Sequence, residues 1–146
     1  MAKETPKAYT MRICRKKLAT IWFSLSGILF IILIIQTLLG RFGESIQEIW
    51  SWFLPTIMPT LSLIITVVVV DGTASAKEIE VDPFLFRLAS ILSVAYLFAV
   101  LATFLFEPFS ESPFVDLAQQ SSLYLGPFQG LTSASIGAFF VKKKSG

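Results

Sequence analysis

The sequence contains no histidine and a single cysteine, and only 15% of its residues are charged. Each scarcity removes a class of chemistry. Without imidazole there is no His-ligated haem, no His-bound zinc and no His-based catalytic triad. One cysteine, Cys14, closes no intramolecular disulfide and forms no CxxC redox pair. It stands just before the first apolar run, where it reads as a small interfacial residue or, in the sharper reading, a lipidation site. No carboxylate or lysine falls in the middle of an apolar run, which disfavours both proton-coupled transport and acid–base catalysis. The expectation is a protein that is not an enzyme and carries no cofactor or metal.

What the chain has in excess is apolar surface. Hydrophobic residues make up 54%, phenylalanine alone supplies 14 positions, and mean hydropathy is +0.72. A soluble chain of 146 residues has too little interior to hide this much. The charges are separated by long gaps: residues 18–40, 49–70, 88–106 and 117–141 carry none. A hydrocarbon core of roughly 30 Å takes about 20 helical residues to cross, and only a helix satisfies its own backbone there. All four runs meet that length. The expected fold class is an all-α integral membrane protein, an antiparallel four-transmembrane-helix bundle, with helices at 18–40, 49–70, 83–106 and 114–141. A basic arm, 1–17, precedes it and a basic tail, 142–146, follows. The first run has the cationic preface of a signal peptide, but it is longer than the usual h-region of about 7–15 residues and lacks a small-x-small cleavage site. It reads as a retained helix.

Lys and Arg set the expected orientation. Eleven of the twelve fall on one side: the arm (with Arg12, Arg15, Lys16 and Lys17), Lys77 and Arg87 between helices two and three, and Lys142, Lys143 and Lys144 after helix four. Only Arg41 is left for the other side, against Glu44, Glu48, Glu107, Glu111 and Asp116. Both termini are therefore expected in the cytoplasm, in a plasma membrane of prokaryotic type. The bland reading of the acidic outer face is topology alone; the sharper one is that it gathers cations. The basic residues Arg12, Arg15, Lys16, Lys17, Arg87, Lys142, Lys143 and Lys144 are expected to contact anionic lipid or a soluble cytoplasmic partner, and no nucleic acid.

Boundaries are marked by specific residues. Asp82-Pro83 reads as N-cap followed by proline at the first helical position, and Ser112-Pro113 as a second instance. Trp22 and Phe23 are expected near the inner interface, Trp50 and Trp52 near the outer one. Pro55 and Pro59 must lie within helix two, because starting the helix after Pro59 would leave it too short to cross. Each proline removes an amide hydrogen, so the carbonyls of Ser51 and Pro55 lose their donors. Thr56 and Thr60 are candidates to re-satisfy them. The expected kink is either a static bend or a gating hinge.

Helix four is the most polar. Gly126, Gly130, Ala134 and Gly137 form a stripe of small residues of the kind that lets helices approach closely. Ser122, Gln129, Thr132 and Ser133 fall on a neighbouring face. A carboxamide facing lipid leaves its hydrogen-bonding sites unpaired at a cost of several kcal/mol. Gln129 must therefore face protein or water, and two readings stay open: interhelical hydrogen bonding within the bundle, or the lining of a wet path around an oligomer axis. On the second rests the leading functional expectation, a homo-oligomeric pore or channel-like assembly, in one version a triggered membrane-permeabilising effector. The alternative is a membrane anchor or sensor subunit that recruits a soluble cytoplasmic partner.

Overall fold

The computed structural model describes residues 10–73 and 80–140. About 90% of them are helical. Four long helices account for this: α1 (Met11–Leu38), α2 (Ile46–Thr73), α3 (Pro83–Phe106) and α4 (Phe114–Phe140). Together they form a helical bundle. Three stretches, Met11–Leu38, Gly43–Val69 and Pro83–Phe109, are long and apolar enough to cross a membrane. α4 has 27 residues but falls short of that composition, diluted by Gln119, Gln120, Gln129 and its run of hydroxyls.

The helix starts follow local chemistry. α1 begins seven residues earlier than expected, because Thr10 caps it by accepting a hydrogen bond from the Ile13 amide at 3.5 Å. The cationic residues Arg12 to Lys17 are thus the first turns of the helix and not part of an irregular arm. α2 likewise extends beyond the expected 49–70 at both ends. α3 has the expected bounds: the Asp82 carboxylate accepts from the Phe84 amide at 2.9 Å, and Pro83 opens the helix. The parallel with Ser112-Pro113 fails by one residue. The Pro113 carbonyl accepts from the Asp116 and Leu117 amides, so proline precedes α4. The tail with Lys142, Lys143 and Lys144 lies outside the described residues, as do 1–9 and 74–79.

Successive helices reverse direction. At one end Thr10 pairs with Glu80 in an isolated antiparallel bridge, joining the start of α1 to the approach to α3. At the other end Arg41, in the α1–α2 turn, pairs with Glu107, in the α3–α4 turn, at 3.3 Å. Gly40 and Gly43 make the first of these turns with φ of 68° and 52°, a region that suits glycine. α1 packs against α2 and α3, and α4 packs against the same two.

The distribution of polarity is that of a protein solvated by lipid. Large apolar side chains point outward on every helix, among them Ile31 at 58% exposure, Ile91 at 66% and Leu123 at 80%. Extended exposed apolar surface of this kind marks contact with lipid or with another protein. Several hydroxyls are answered inside their own helices: Thr20, Thr37, Thr66, Ser93 and Thr103 each donate to the carbonyl four residues back. One indole is answered by a neighbouring helix. Trp50 Nε1 donates to Thr37 Oγ1 at 3.2 Å, tying α2 to α1 near the Arg41 end. Trp22, expected at an interface, is instead fully buried against Tyr96.

Near the Arg41 end, aromatic rings lock three helices. Phe104 of α3 lies 6.0 Å from Phe53, 5.8 Å from Trp52 and 5.2 Å from Phe114, centroid to centroid. Each such pair adds about 0.5–1.5 kcal/mol beyond burial. Phe104→Ala is expected to lower unfolding free energy in detergent by about 3 kcal/mol through lost contacts and a cavity. Phe98→Ala, at an outward position, should change it by less than about 0.5 kcal/mol. Equal effects in an unfolding titration would contradict this packing.

Candidate functional site

The candidate site forms where α2 loses its backbone hydrogen bonds. Both prolines lie inside an uninterrupted α2. The Pro59 nitrogen carries no hydrogen, so the Pro55 carbonyl has no helical donor. The donor comes from α4: Gln129 Nε2 reaches the Pro55 carbonyl at 3.4 Å and the Thr56 carbonyl at 3.2 Å. A third helix also contributes. Tyr96 OH, from α3, donates to the Thr56 carbonyl at 3.0 Å. The two donors converge on one carbonyl, and three helices meet at one turn of α2.

Tyr96 is the centre of this arrangement. It is fully buried, its ring lies 6.0 Å from Trp22 of α1 and 5.7 Å, edge-on, from Phe128 of α4, and its hydroxyl reaches α2. It therefore touches all three other helices. Sequence reasoning passed over it, although a signal was there: a phenol in the middle of an apolar helix has to find a partner when buried. The Thr56 hydroxyl serves neither carbonyl freed by the prolines. It donates to Trp52 at 2.6 Å, not to Ser51.

The polar face of α4 divides on closer inspection. Thr132 is buried and donates to the Phe128 carbonyl at 2.9 Å, so it belongs to the core and lines no surface. Gln129 is half-buried at the rim. Ser122 is exposed and donates to the Ala118 carbonyl at 3.2 Å, and Ser133 is half-buried. Gln129 and Ser122, with Ser51 of α2, line a cleft of about 260 Å³ between α2 and α4. Gly126 lines it too, while Trp52, Thr56 and Tyr96 form its floor and walls.

The stripe of small residues begins beside that cleft, and among the described residues nothing packs on Gly126 or Gly130. Gly126, Gly130 and Ala134 are exposed, and Gly137 is half-buried. A methyl group built on Gly126 or Gly130 would meet no atom within 4 Å. Among the described residues, no helix makes the expected close approach at Gly126 or Gly130. The basic candidates gather at the opposite end from Arg41: Arg12, Lys16, Lys17 and Arg87 are exposed and Arg15 is half-buried. Among the described residues no three His, Cys, Asp or Glu side chains come together to hold a metal ion.

No family model, curated protein or solved structure matches this chain. Function therefore has to be argued from the site alone. Tyr96→Phe keeps every ring contact and removes only the hydroxyl. It is expected to cost about 1 kcal/mol of stability in detergent. Tyr96→Leu should cost about 2 kcal/mol or more, because the contacts to Trp22 and Phe128 are lost as well. Chemical unfolding of the two variants side by side checks the difference.

Proposed function

We infer that this chain is an integral membrane protein of four crossings, with both termini in the cytoplasm, that works as a homo-oligomeric, channel-like assembly. The observation that carries this reading is the α2–α4 cleft. Ser51, Ser122 and Gln129 line a depression that opens out of the bundle, beside a glycine face that nothing covers. Polar groups opening toward lipid are costly. A second copy seated on Gly126 and Gly130 would shield the cleft from lipid and turn its hydroxyls and carboxamide toward an interior path. Uncharged lining of this kind permits weakly selective flow, and the acidic outer turns would raise the local concentration of cations. The Gln129–Pro55–Thr56 contact supplies a hinge at the same point, since breaking it frees the proline-containing turn of α2.

A second reading is favoured by a different fact. The hydrogen bonds that Gln129 donates and the one that Thr132 donates all go to carbonyls of the same chain. The polarity of Gln129 would then be interhelical glue and that of Thr132 closed within its own helix, and the protein would be an anchor or sensor that meets a soluble partner or anionic lipid through Arg12, Lys16, Lys17 and Arg87.

The two readings separate in reconstituted liposomes. For the channel, Gln129→Leu is expected to change ion flux at least severalfold in assemblies of normal size, and Gly130→Leu to break the assembly and abolish flux. For the anchor, wild-type vesicles stay sealed and Gln129→Leu alters stability alone. Sealed vesicles with a confirmed oligomer would end the channel reading.

A further inference from the structure

The geometry points to a discrete binding site for one anionic phospholipid in the groove between α1 and α3, with its phosphate at Lys16 and Lys17 and an acyl chain in the slot below. This rests on the membrane placement proposed above and goes beyond it, from a bilayer in general to a single lipid at a defined place.

The groove has two parts. Its mouth, about 480 Å³, is lined by Lys16, Lys17, Thr20 and Ile21 of α1 and by Phe86 and Ser90 of α3. Its slot, about 150 Å³, lies deeper between the same two helices, from Leu25 to Leu29 on α1 and from Val94 to Leu101 on α3, and every residue lining it is apolar. The two parts lie along the same faces of α1 and α3. Lys17, Ile21, Leu25 and Ile28 follow one another at helical spacing on one side, as do Phe86, Ser90, Val94 and Leu97 on the other. α1 and α3 run in the same direction, so the mouth is at the cationic end and the slot points to the bundle's middle. From Lys17 to Leu29 the helix rises about 18 Å, room for most of one acyl chain.

Charge decides which occupant fits. Two lysines stand at the mouth, and among the described residues no carboxylate lines either part. Lys17 Nζ lies 5.8 Å from the centre of the Phe86 ring, which holds the ammonium at the mouth with its stem along the groove. At the boundary between the parts, the Ser90 hydroxyl is shut away from solvent and has no hydrogen-bond partner among the described residues. A rotation of this side chain toward the groove would bring it to the ester or phosphate oxygens of a seated lipid. A zwitterionic lipid would place its own cation against the lysines, so the site selects for net negative headgroups.

The test uses the full chain, purified in a neutral detergent and offered phosphatidylglycerol or phosphatidylcholine with identical chains, with bound lipid counted by native mass spectrometry. One tightly held phosphatidylglycerol per chain is expected, with at least about tenfold preference over phosphatidylcholine, as two basic residues near the headgroup imply. Lys16→Gln with Lys17→Gln should erase the preference, and Val94→Trp, filling the slot, should reduce retention of both lipids. Inorganic phosphate should displace neither. Equal retention of the two lipids by the wild type, unchanged preference in the lysine variant, or displacement by inorganic phosphate overturns the site. Carbonate washing of the parent membranes reports separately on embedding: a chain released by the wash would refute the membrane placement, and an embedded chain without lipid preference would refute the lipid site alone.

Discussion

A helix with prolines at 55 and 59 cannot satisfy its own backbone, and here it crosses the middle of an apolar bundle. An unpaired carbonyl in such a place costs about 1–3 kcal/mol. Water would repair it at a soluble surface; within hydrocarbon another helix has to. Gln129 of α4 does so, with its nitrogen between the Pro55 and Thr56 carbonyls. Tyr96 of α3 adds a second donor to Thr56 and spreads its ring between Trp22 and Phe128. The relative positions of α2, α3 and α4 are fixed at this turn, and α1 is fixed to it through Trp22.

This accounts for the uneven polarity of α4. The part of its polar face that meets α2 is engaged at the proline turn, the part that meets the core is closed by Thr132 bonding back to Phe128, and Ser122, Ser133 and the glycines remain outside. Of these, Ser122 and Gly126 line the cleft. One face of one helix thus serves two ends: it completes a neighbour's backbone, and it leaves a bare, small-residue surface on which another helix can lie closely. The proposed assembly depends on the second, the stability of the single chain on the first.

Much of the fold was legible in the residues because each signal had one physical meaning. Uncharged runs of bilayer length gave the four helices, and Asp82-Pro83 gave the start of α3 to the residue. What misled was chemistry with two meanings. Lysines and arginines read as an arm because charge marks the end of a membrane segment, but charge does not stop a helix, and Thr10 caps α1 ahead of them. Trp22 read as an interfacial residue because indoles favour headgroups, yet here it packs in the core. The site was half visible. That Gln129 needed a partner, and that the Pro55 carbonyl needed a donor, both followed from sequence. That each is the other's answer did not, since spacing within a helix carries no information about which helix lies beside it.

The most direct test of this account is a double-mutant cycle between Pro59→Ala and Gln129→Leu, read by unfolding in detergent. Alanine at 59 restores the amide that the Pro55 carbonyl lacks. If Gln129 replaces that amide, Gln129→Leu costs about 1–3 kcal/mol beside proline and distinctly less beside alanine, a coupling of about 1 kcal/mol. Effects that add to within about 0.5 kcal/mol would mean that the carboxamide and the kink are independent, and the account of the bundle's centre would be wrong.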